Sequence, residues 1–367
     1  MNILNKYEHF LLKNASQISS IEASLRTLTY ILPGRFHDAE FASQALYAAL
    51  NLLGLYHTSI LKKAISVQAR DNIIEESSFN KYLGYWTKKS KLTSATTTLL
   101  SVISYTQVLV EMAILKKWGK RRQWLGVTYL EAIKLILRLI LFQSTQQRMT
   151  LQPTHLKRDV DPSTLNNNNT KGHQVAIYHR DWIGQRSGNK VPLLATTIHL
   201  DNNNGVKGAY NSVTDYLLSK VLTPEKVRRP EQMVQIQRHS LAKMGELLYI
   251  ARPFIYVLSI LRWGRMSWRP WIISLITELT SQFATRKGYQ GKHRTTMLPL
   301  EKDEYNRRLN LILLNTMRGA FYSRVTRPRL ERFCNATETK PVFSILSGVL
   351  RDYMHLWQDI YFYTSAS

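Results

Sequence analysis

Five cations and two tryptophans cluster between two apolar stretches of this chain. They are Lys116, Lys117, Trp118, Lys120, Arg121, Arg122 and Trp124. Ammonium and guanidinium groups attract anionic lipid headgroups, and indole rings prefer the boundary between headgroups and acyl chains. A solvated connection between two helices would explain the charges but not the tryptophans that accompany them. The cluster therefore predicts a membrane-binding turn.

The same combination of side chains recurs in the second half of the chain, at Trp263, Arg265, Trp268, Arg269 and Trp271. Two interpretations fit this second cluster. Its tryptophans either anchor the protein at a membrane interface or stack into the core of a helical bundle at a corner. Because long cationic side chains extend from apolar surface toward polar surroundings, the two interpretations are compatible. We treat the cluster as a second candidate membrane-binding region.

The residues that most often perform catalysis or bind metals form no such pattern here. The histidines are scattered, and His155, His173, His179 and His199 lack the i, i+4 spacing of a helical zinc site. A single cysteine, Cys334, excludes an intrachain disulfide and predicts a small buried side chain. No phosphate-binding glycine loop, nucleophile elbow or paired-carboxylate signature occurs. The sequence predicts a protein that is not an enzyme, with no cofactor and no metal site.

The net charge of +25 requires an anionic partner. Nucleic-acid-binding proteins usually concentrate lysine and arginine in a recognisable module. In this chain the cations instead flank apolar helices along most of its length, without zinc-finger spacing, a ribonucleoprotein motif or a basic heptad array. Anionic membrane lipid is therefore the predicted partner, and nucleic acid is not.

Two apolar segments of helical periodicity position the first cluster. Residues 92–110 carry no charge, and residues 124–142 carry Glu131, Lys134 and Arg138. These three side chains fall within about 60° of one another on a helix. We predict an apolar hairpin over residues 92–142. Its polar stripe indicates either a helix lying in the membrane interface or a helix packed polar side inward within a bundle.

Helical periodicity continues through most of the chain and predicts an all-α fold. We expect a membrane-associated helical bundle built from both halves, residues 1–150 and residues 212–367. Between them, residues 151–211 contain asparagine runs at 166–169 and 202–204. Such a composition buries little apolar surface, so residues 151–211 are predicted to be a disordered linker.

Several motifs, in order over nearly the whole chain, resemble the peroxin-16 family of peroxisomal membrane biogenesis factors. They include Lys117-Trp118-Gly119, Arg252-Pro253 and Phe321-Tyr322-Ser323-Arg324, and the ending from Trp357 to Tyr363 is the most distinctive. The residues that carry the resemblance are Gly34, Arg35, Phe36, Gly119, Arg252, Pro253, Gly264, Pro270, Arg318, Phe321, Tyr322, Trp357, Tyr361 and Tyr363.

The resemblance implies a non-enzymatic factor that acts as a receptor or scaffold for inserting peroxisomal membrane proteins, at the peroxisomal membrane and the endoplasmic reticulum. It implies two partners, the docking factor peroxin-3 and the cargo chaperone peroxin-19. No catalytic residues carry over. A second role remains open, that of a membrane-shaping or lipid-handling regulator of peroxisome number and division.

The resemblance also implies two spanning segments with both termini in the cytosol. A spanning hairpin over residues 92–142 would then place the basic turn in the lumen, against the positive-inside tendency. Spans at 92–115 and 254–281 avoid this conflict, but Arg262, Arg265 and Arg269 interrupt the second one. We therefore expect a bundle that lies in the cytosolic leaflet without crossing it.

Overall fold

The computed structural model describes residues 6–8, 10–11, 14–31, 39–68, 77–158, 182–183, 190–191, 228–290, 297–337, 347–351 and 353–354. Helices dominate these residues, so the all-α prediction is confirmed. The α-helices are α1 (Ala15–Ile31), α2 (Ala39–Gln68), α3 (Ser78–Lys89), α4 (Lys91–Ser144), α5 (Ser240–Trp263), α6 (Trp268–Gln290), α7 (Pro299–Ile312), α8 (Gly319–Phe321) and α9 (Arg327–Thr337). Two 3₁₀ segments (Pro230–Met233 and Leu313–Met317) and a π-helical turn (Tyr322–Thr326) complete the helical structure.

The chain divides into two compact units. One contains Ile18–Asp159 together with Pro230–Ser367, which confirms that both halves build one helical bundle. The other contains Met1–Gln17 and Val160–Arg229. Within it, β1 (Trp182–Ile183) pairs antiparallel with β2 (Lys190–Val191), and Trp182 lies opposite Val191.

Helix α4 is a helical hairpin that turns at Gly119. This glycine has φ 80° and ψ 174°, a conformation that breaks the helix and reverses the chain. Residues of the two arms on either side of the turn meet. Lys134 Nζ lies 2.7 Å from Gln107 Oε1, and a Cβ on Gly126 would come within 2.6 Å of Ile114. The two arms, residues 91–118 and 120–144, therefore pack antiparallel.

The polar stripe of the second arm faces the interior of the bundle. Glu131 and Lys134 are each 1% exposed and form an ion pair, and Arg138 is also buried. From the first arm, Gln107 donates a hydrogen bond to Glu111 at 2.9 Å. Burial raises the pKa of Glu111 to about 7 and lowers the pKa of Lys134 to about 8. Of the two arrangements that the sequence allowed, the structure has the helix packed polar side inward.

A second group of buried charges joins the two halves of the chain. Arg308 Nη1 and Nη2 bind the carboxylate of Glu246 at 2.7 and 2.9 Å, and its Nε binds Glu304 at 2.9 Å. Arg308 Nη2 also donates to the carbonyl oxygen of Thr150 at 2.8 Å. The guanidinium lies 3.8 Å from the ring centroid of Tyr249. Arg308 thus fastens α5 and α7 to the segment that follows α4.

The first eight residues of the predicted linker belong to the packed structure. Leu151 lies in a hydrophobic core with Trp86 and Val234, and the Asn80 side chain makes two hydrogen bonds to the backbone of Lys157, at 2.8 and 2.9 Å. The linker therefore cannot begin at residue 151. The composition of residues 151–158 does not indicate a packed segment, but partners that are distant in sequence hold these residues in the bundle. Most of residues 159–211 lie outside the described residues, as do residues 212–227, where helices were predicted to resume.

Candidate membrane-binding surface

The turns that carry the two predicted clusters lie at the same end of the bundle. Trp124, shortly after the α4 turn, packs against a buried cluster that Val127 of α4 forms with Tyr256, Val257 and Ile260 of α5. Ile260 in turn accepts a hydrogen bond from Gly264 N at 2.8 Å, where α5 ends. Gly264 has φ 83°, which lets the chain leave α5 and enter α6 directly. Folding thus brings together two clusters separated by more than a hundred residues.

The α4 turn presents its predicted residues to the outside. All five cations of this cluster are exposed, and Trp118 is 50% exposed. Lys117 Nζ lies 5.1 Å from the Trp118 ring, and Lys116 Nζ lies 6.0 Å from the ring of Phe41 near the start of α2. Trp124, in contrast, is half-buried, because its ring packs where α4 contacts α5. The surface at this turn is both cationic and aromatic.

The second cluster divides between the two interpretations that the sequence allowed. Trp263 is exposed, and so is Arg269, whereas Arg265 is half-buried. Trp271 stacks on Phe321 with ring centroids 5.1 Å apart, and Trp268 meets Trp271 edge to face at 5.6 Å. Trp263 is therefore available to a membrane interface, while Trp268 and Trp271 belong to an aromatic corner.

The aromatic corner is fixed by hydrogen bonding and by buried groups. The indole N–H of Trp271 donates to the carbonyl oxygen of Asn315 at 2.8 Å, and Pro270 is buried in the first turn of α6. The guanidinium of Arg324 lies 5.9 Å from the Trp268 ring. These contacts hold the start of α6 against the segment between α7 and α9.

Most of the described family-motif residues of the second half have structural roles near this end. Arg252 forms a buried ion pair with Glu278, and Pro253 lies inside α5, which continues through it. The guanidinium of buried Arg318 lies 5.7 Å from the Tyr256 ring. Tyr322 O–H donates to the carbonyl oxygen of Met354 at 3.1 Å. Gly34, Arg35, Phe36, Trp357, Tyr361 and Tyr363 lie outside the described residues.

Some residues of this end were not predicted from local pattern. Leu313 is 70% exposed and Leu314 is 38% exposed, although an adjacent leucine pair in a helical segment usually indicates a core. They precede Asn315, whose backbone binds Trp271, so they lie beside the second turn. Their position beside the second turn is revealed only by the hydrogen bond between Asn315 and Trp271, which are 44 residues apart in the sequence.

Two further properties bear on the type of site. In the part of the chain that the structure describes, no group of three or more His, Cys, Asp or Glu side chains is placed to hold a metal ion. Among the same residues, α5 is the one helix long and apolar enough to cross a membrane, and 56% of its most apolar 18-residue stretch is buried. Length and apolarity alone do not distinguish a spanning helix from the core helix of a bundle.

Buried ion pairs inside a helical bundle, together with a cationic and aromatic end, fit the class of membrane-associated helical proteins. The family model described as "Peroxisomal membrane protein (Pex16)" matches residues 5–359, so the chain belongs to this family. The protein is therefore a non-enzymatic peroxisome biogenesis factor located at the peroxisomal membrane.

Three relatives from distant organisms agree with this assignment. The chain is 24% identical to "Peroxisomal membrane protein PEX16" of Schizosaccharomyces pombe, over 94% of this chain and 93% of that protein. It is 23% identical to "Peroxisome biogenesis protein 16" of Arabidopsis thaliana, over 99% and 100% of the two chains. It is 38% identical to "Peroxisome biogenesis factor 16" of Dictyostelium discoideum, over 34% and 31%. No solved structure matches the chain.

Proposed function

We propose that this protein is a membrane-docked receptor or scaffold for the insertion of peroxisomal membrane proteins. In this role it works at the peroxisomal membrane and at the endoplasmic reticulum. It receives cargo carried by peroxin-19 and cooperates with peroxin-3, the partners that the family resemblance implies.

One observation supports the receptor role most directly. The end of the bundle that carries the exposed cations and Trp118 also carries Leu313 and Leu314, two leucines that remain exposed in the folded chain. Cations favour the anionic lipid surface, and exposed leucines favour an apolar partner. A receptor at a membrane needs both properties at neighbouring positions, because cargo must arrive where the lipid begins.

The test uses purified full-length protein in vesicles of phosphatidylcholine and phosphatidylserine. Cargo-loaded peroxin-19 is added with and without peroxin-3, and the cargo captured and made resistant to alkaline extraction is measured. We expect capture by the unaltered protein and a several-fold loss when Leu313 and Leu314 are both changed to serine. Leu92→Ser is the matched control, because Leu92 is 55% exposed but begins the arm far from the turn.

Equal capture by all three proteins would contradict a cargo-receiving role for this end. The same vesicles test the second role that the resemblance leaves open. Extraction of lipid, or remodelling of vesicles by the purified protein without peroxin-3 and peroxin-19, would instead support a membrane-shaping or lipid-handling regulator of peroxisome number and division.

A further inference from the structure

Helix α6 carries its polar side chains inward and its apolar side chains outward, the reverse of a helix in a water-soluble bundle. The side chains of its middle turns that face the bundle interior are polar and buried: Ser274, Glu278, Ser281, Gln282 and Thr285. The side chains on its outer face are large, apolar and 43–61% exposed: Ile272, Ile276, Leu279 and Phe283. Both sets recur at spacings of three and four residues, so each forms a continuous stripe along the helix.

The inner stripe is polar because the interior of the bundle provides hydrogen-bond partners for it. Glu278 pairs with Arg252 and accepts a hydrogen bond from Asn315 Nδ2 at 2.6 Å. Ser281 Oγ donates to the carbonyl oxygen of Gly245 in α5 at 2.7 Å. A Cβ on Gly245 would come within 2.8–2.9 Å of α6 backbone atoms, so the two helices pack at the closest approach that glycine permits. This face cannot turn outward without leaving its partners.

The outer stripe offers little that water could bind. Thr280, the exposed polar residue within it, donates its hydroxyl to the carbonyl oxygen of Ile276 in the same helix at 2.8 Å. Its cations lie at the two ends, Arg269 before the stripe and Arg286 and Lys287 after it, and all three are exposed. Arg286 lies 17 positions after Arg269, which is about 26 Å along a helix and close to the thickness of the acyl-chain layer of a bilayer.

A surface helix in water carries its polar side chains outward. Apolar side chains outward, hydroxyl groups bonded to their own helix and cations confined to the ends are the properties of a helix face in contact with lipid. We propose that the outer stripe of α6, Ile272 to Phe283, lies against the acyl chains of the peroxisomal membrane. The stripe begins directly after the aromatic corner, so the lipid-facing surface continues from the end that binds headgroups. The proposal depends on the membrane location and not on the receptor role.

The test measures the surroundings of single labelled positions in the full-length protein. Cys334, which is buried, is changed to alanine, and a single cysteine replaces Ile276 or Leu279. The matched control is Asn306→Cys, at an exposed polar position of α7. Each protein is given a nitroxide label and reconstituted in vesicles of phosphatidylcholine and phosphatidylserine. Collisions with oxygen, which concentrates among acyl chains, are compared with collisions with a water-soluble nickel chelate.

We expect the ratio of oxygen to nickel collisions at positions 276 and 279 to exceed that at position 306 several-fold. Nickel collisions as frequent at 276 and 279 as at 306 would show that the stripe faces water. Protection from both reagents would show that protein covers it, either a second copy of this chain or another segment. Either result overturns the proposal. Phe283→Cys provides the same measurement if one of the other substitutions prevents folding.

Discussion

At the scale of single residues, substitutions in the α4 turn can measure the electrostatic and the aromatic contributions to membrane binding separately. Changing Lys116, Lys117, Lys120, Arg121 and Arg122 to glutamine should weaken binding to acidic liposomes by about a hundredfold or more at low salt while leaving the helices folded. Each of these exposed cations contributes roughly 1 kcal/mol of attraction near an anionic surface. The difference from the unaltered protein should shrink as salt rises, because screening acts over about 10 Å at 0.1 M ionic strength. Liposome flotation over a salt series measures this.

Substitutions of the two tryptophans test the aromatic contribution, for comparison with the charge variant. Trp118→Ala should weaken liposome binding at every salt concentration, because the partitioning of an indole ring is not Coulombic. Trp124→Ala should also lower thermal stability, since Trp124 packs against α5. Normal lipid binding by the five-fold glutamine variant, together with loss of peroxin-3, would identify the turn as a protein-docking surface instead.

Buried Glu111 should make stability depend on pH. Its pKa of about 7 lies above the ordinary value of 4.5, so between these values the folded state binds more protons than the unfolded state. The free energy of unfolding should therefore fall as pH rises from about 4.5 to 7, by at most about 3 kcal/mol. Lys134 acts in the opposite direction above pH 8, because its pKa is lowered from 10.5 to about 8.

Thermal unfolding in detergent at pH 5, 6 and 7 tests the acidic part of this dependence. Between pH 5 and 7 the midpoint of the unaltered protein should fall relative to that of the Glu111→Gln protein, because only the unaltered protein loses the Glu111 proton. Glu331→Gln is the control, because Glu331 is 46% exposed in a surface pair with Arg327 and should leave the slope unchanged. The same slope in the Glu111→Gln protein would refute a titrating Glu111.

At the scale of helices, Gly119 is the residue that makes α4 a hairpin. A side chain at φ 80° and ψ 174° strains the backbone, so Gly119→Ala should destabilise the bundle by about 1–3 kcal/mol. Gly54→Ala is the matched control. Gly54 also has free space around its Cα, but it lies inside α2, where alanine stabilises a helix by about 1 kcal/mol relative to glycine. Chemical denaturation of both proteins should shift in opposite directions, and equal shifts would contradict the strain.

Sequence periodicity was sufficient for the features of this fold that depend on neighbours along the chain. It placed the polar stripe of α4 and the basic turn. It did not reveal the pairing of Arg308 with Glu246, because the two residues lie 62 positions apart on different helices. It also missed the reversal of α6, because its serines, threonines and single glutamate alternate with isoleucines. Such a sequence is compatible with either the polar or the apolar face turned outward. Which face is buried depends on Arg252, Asn315 and Gly245, and their positions emerge only on folding.

At the scale of the whole molecule, Arg308 should be among the side chains most costly to remove. Arg308→Leu leaves the buried carboxylates of Glu246 and Glu304 without this partner, which should cost about 3–5 kcal/mol. Arg327→Leu removes an arginine that is 42% exposed from a surface pair and should cost less than about 1 kcal/mol. Equilibrium denaturation compares the two proteins. A similar small loss in both would show that the buried group does not fasten the two halves.

The middle of the chain should be dispensable for the bundle. Deleting residues 166–204 removes β1 and β2 but leaves residues 145–158 and their contacts in place. The asparagine runs in the deleted sequence bury little apolar surface to offset an ordering entropy of roughly 1–2 kcal/mol per residue. We therefore expect nearly unchanged thermal stability and membrane association, measured by circular dichroism and flotation. A large loss of helicity on deletion would show that this region is structural.

The spacing of partners along the chain also sets an order of events during synthesis. The polar groups inside the α4 hairpin find one another within 24–27 residues, whereas Thr150 binds Glu246, 96 residues later. Because a ribosome adds about 5–20 residues per second, roughly 5–20 s separate the emergence of these two partners. The hairpin therefore has its own charges paired well before Glu246 is made, and it can meet a membrane while α5, α6 and α7 are still being made.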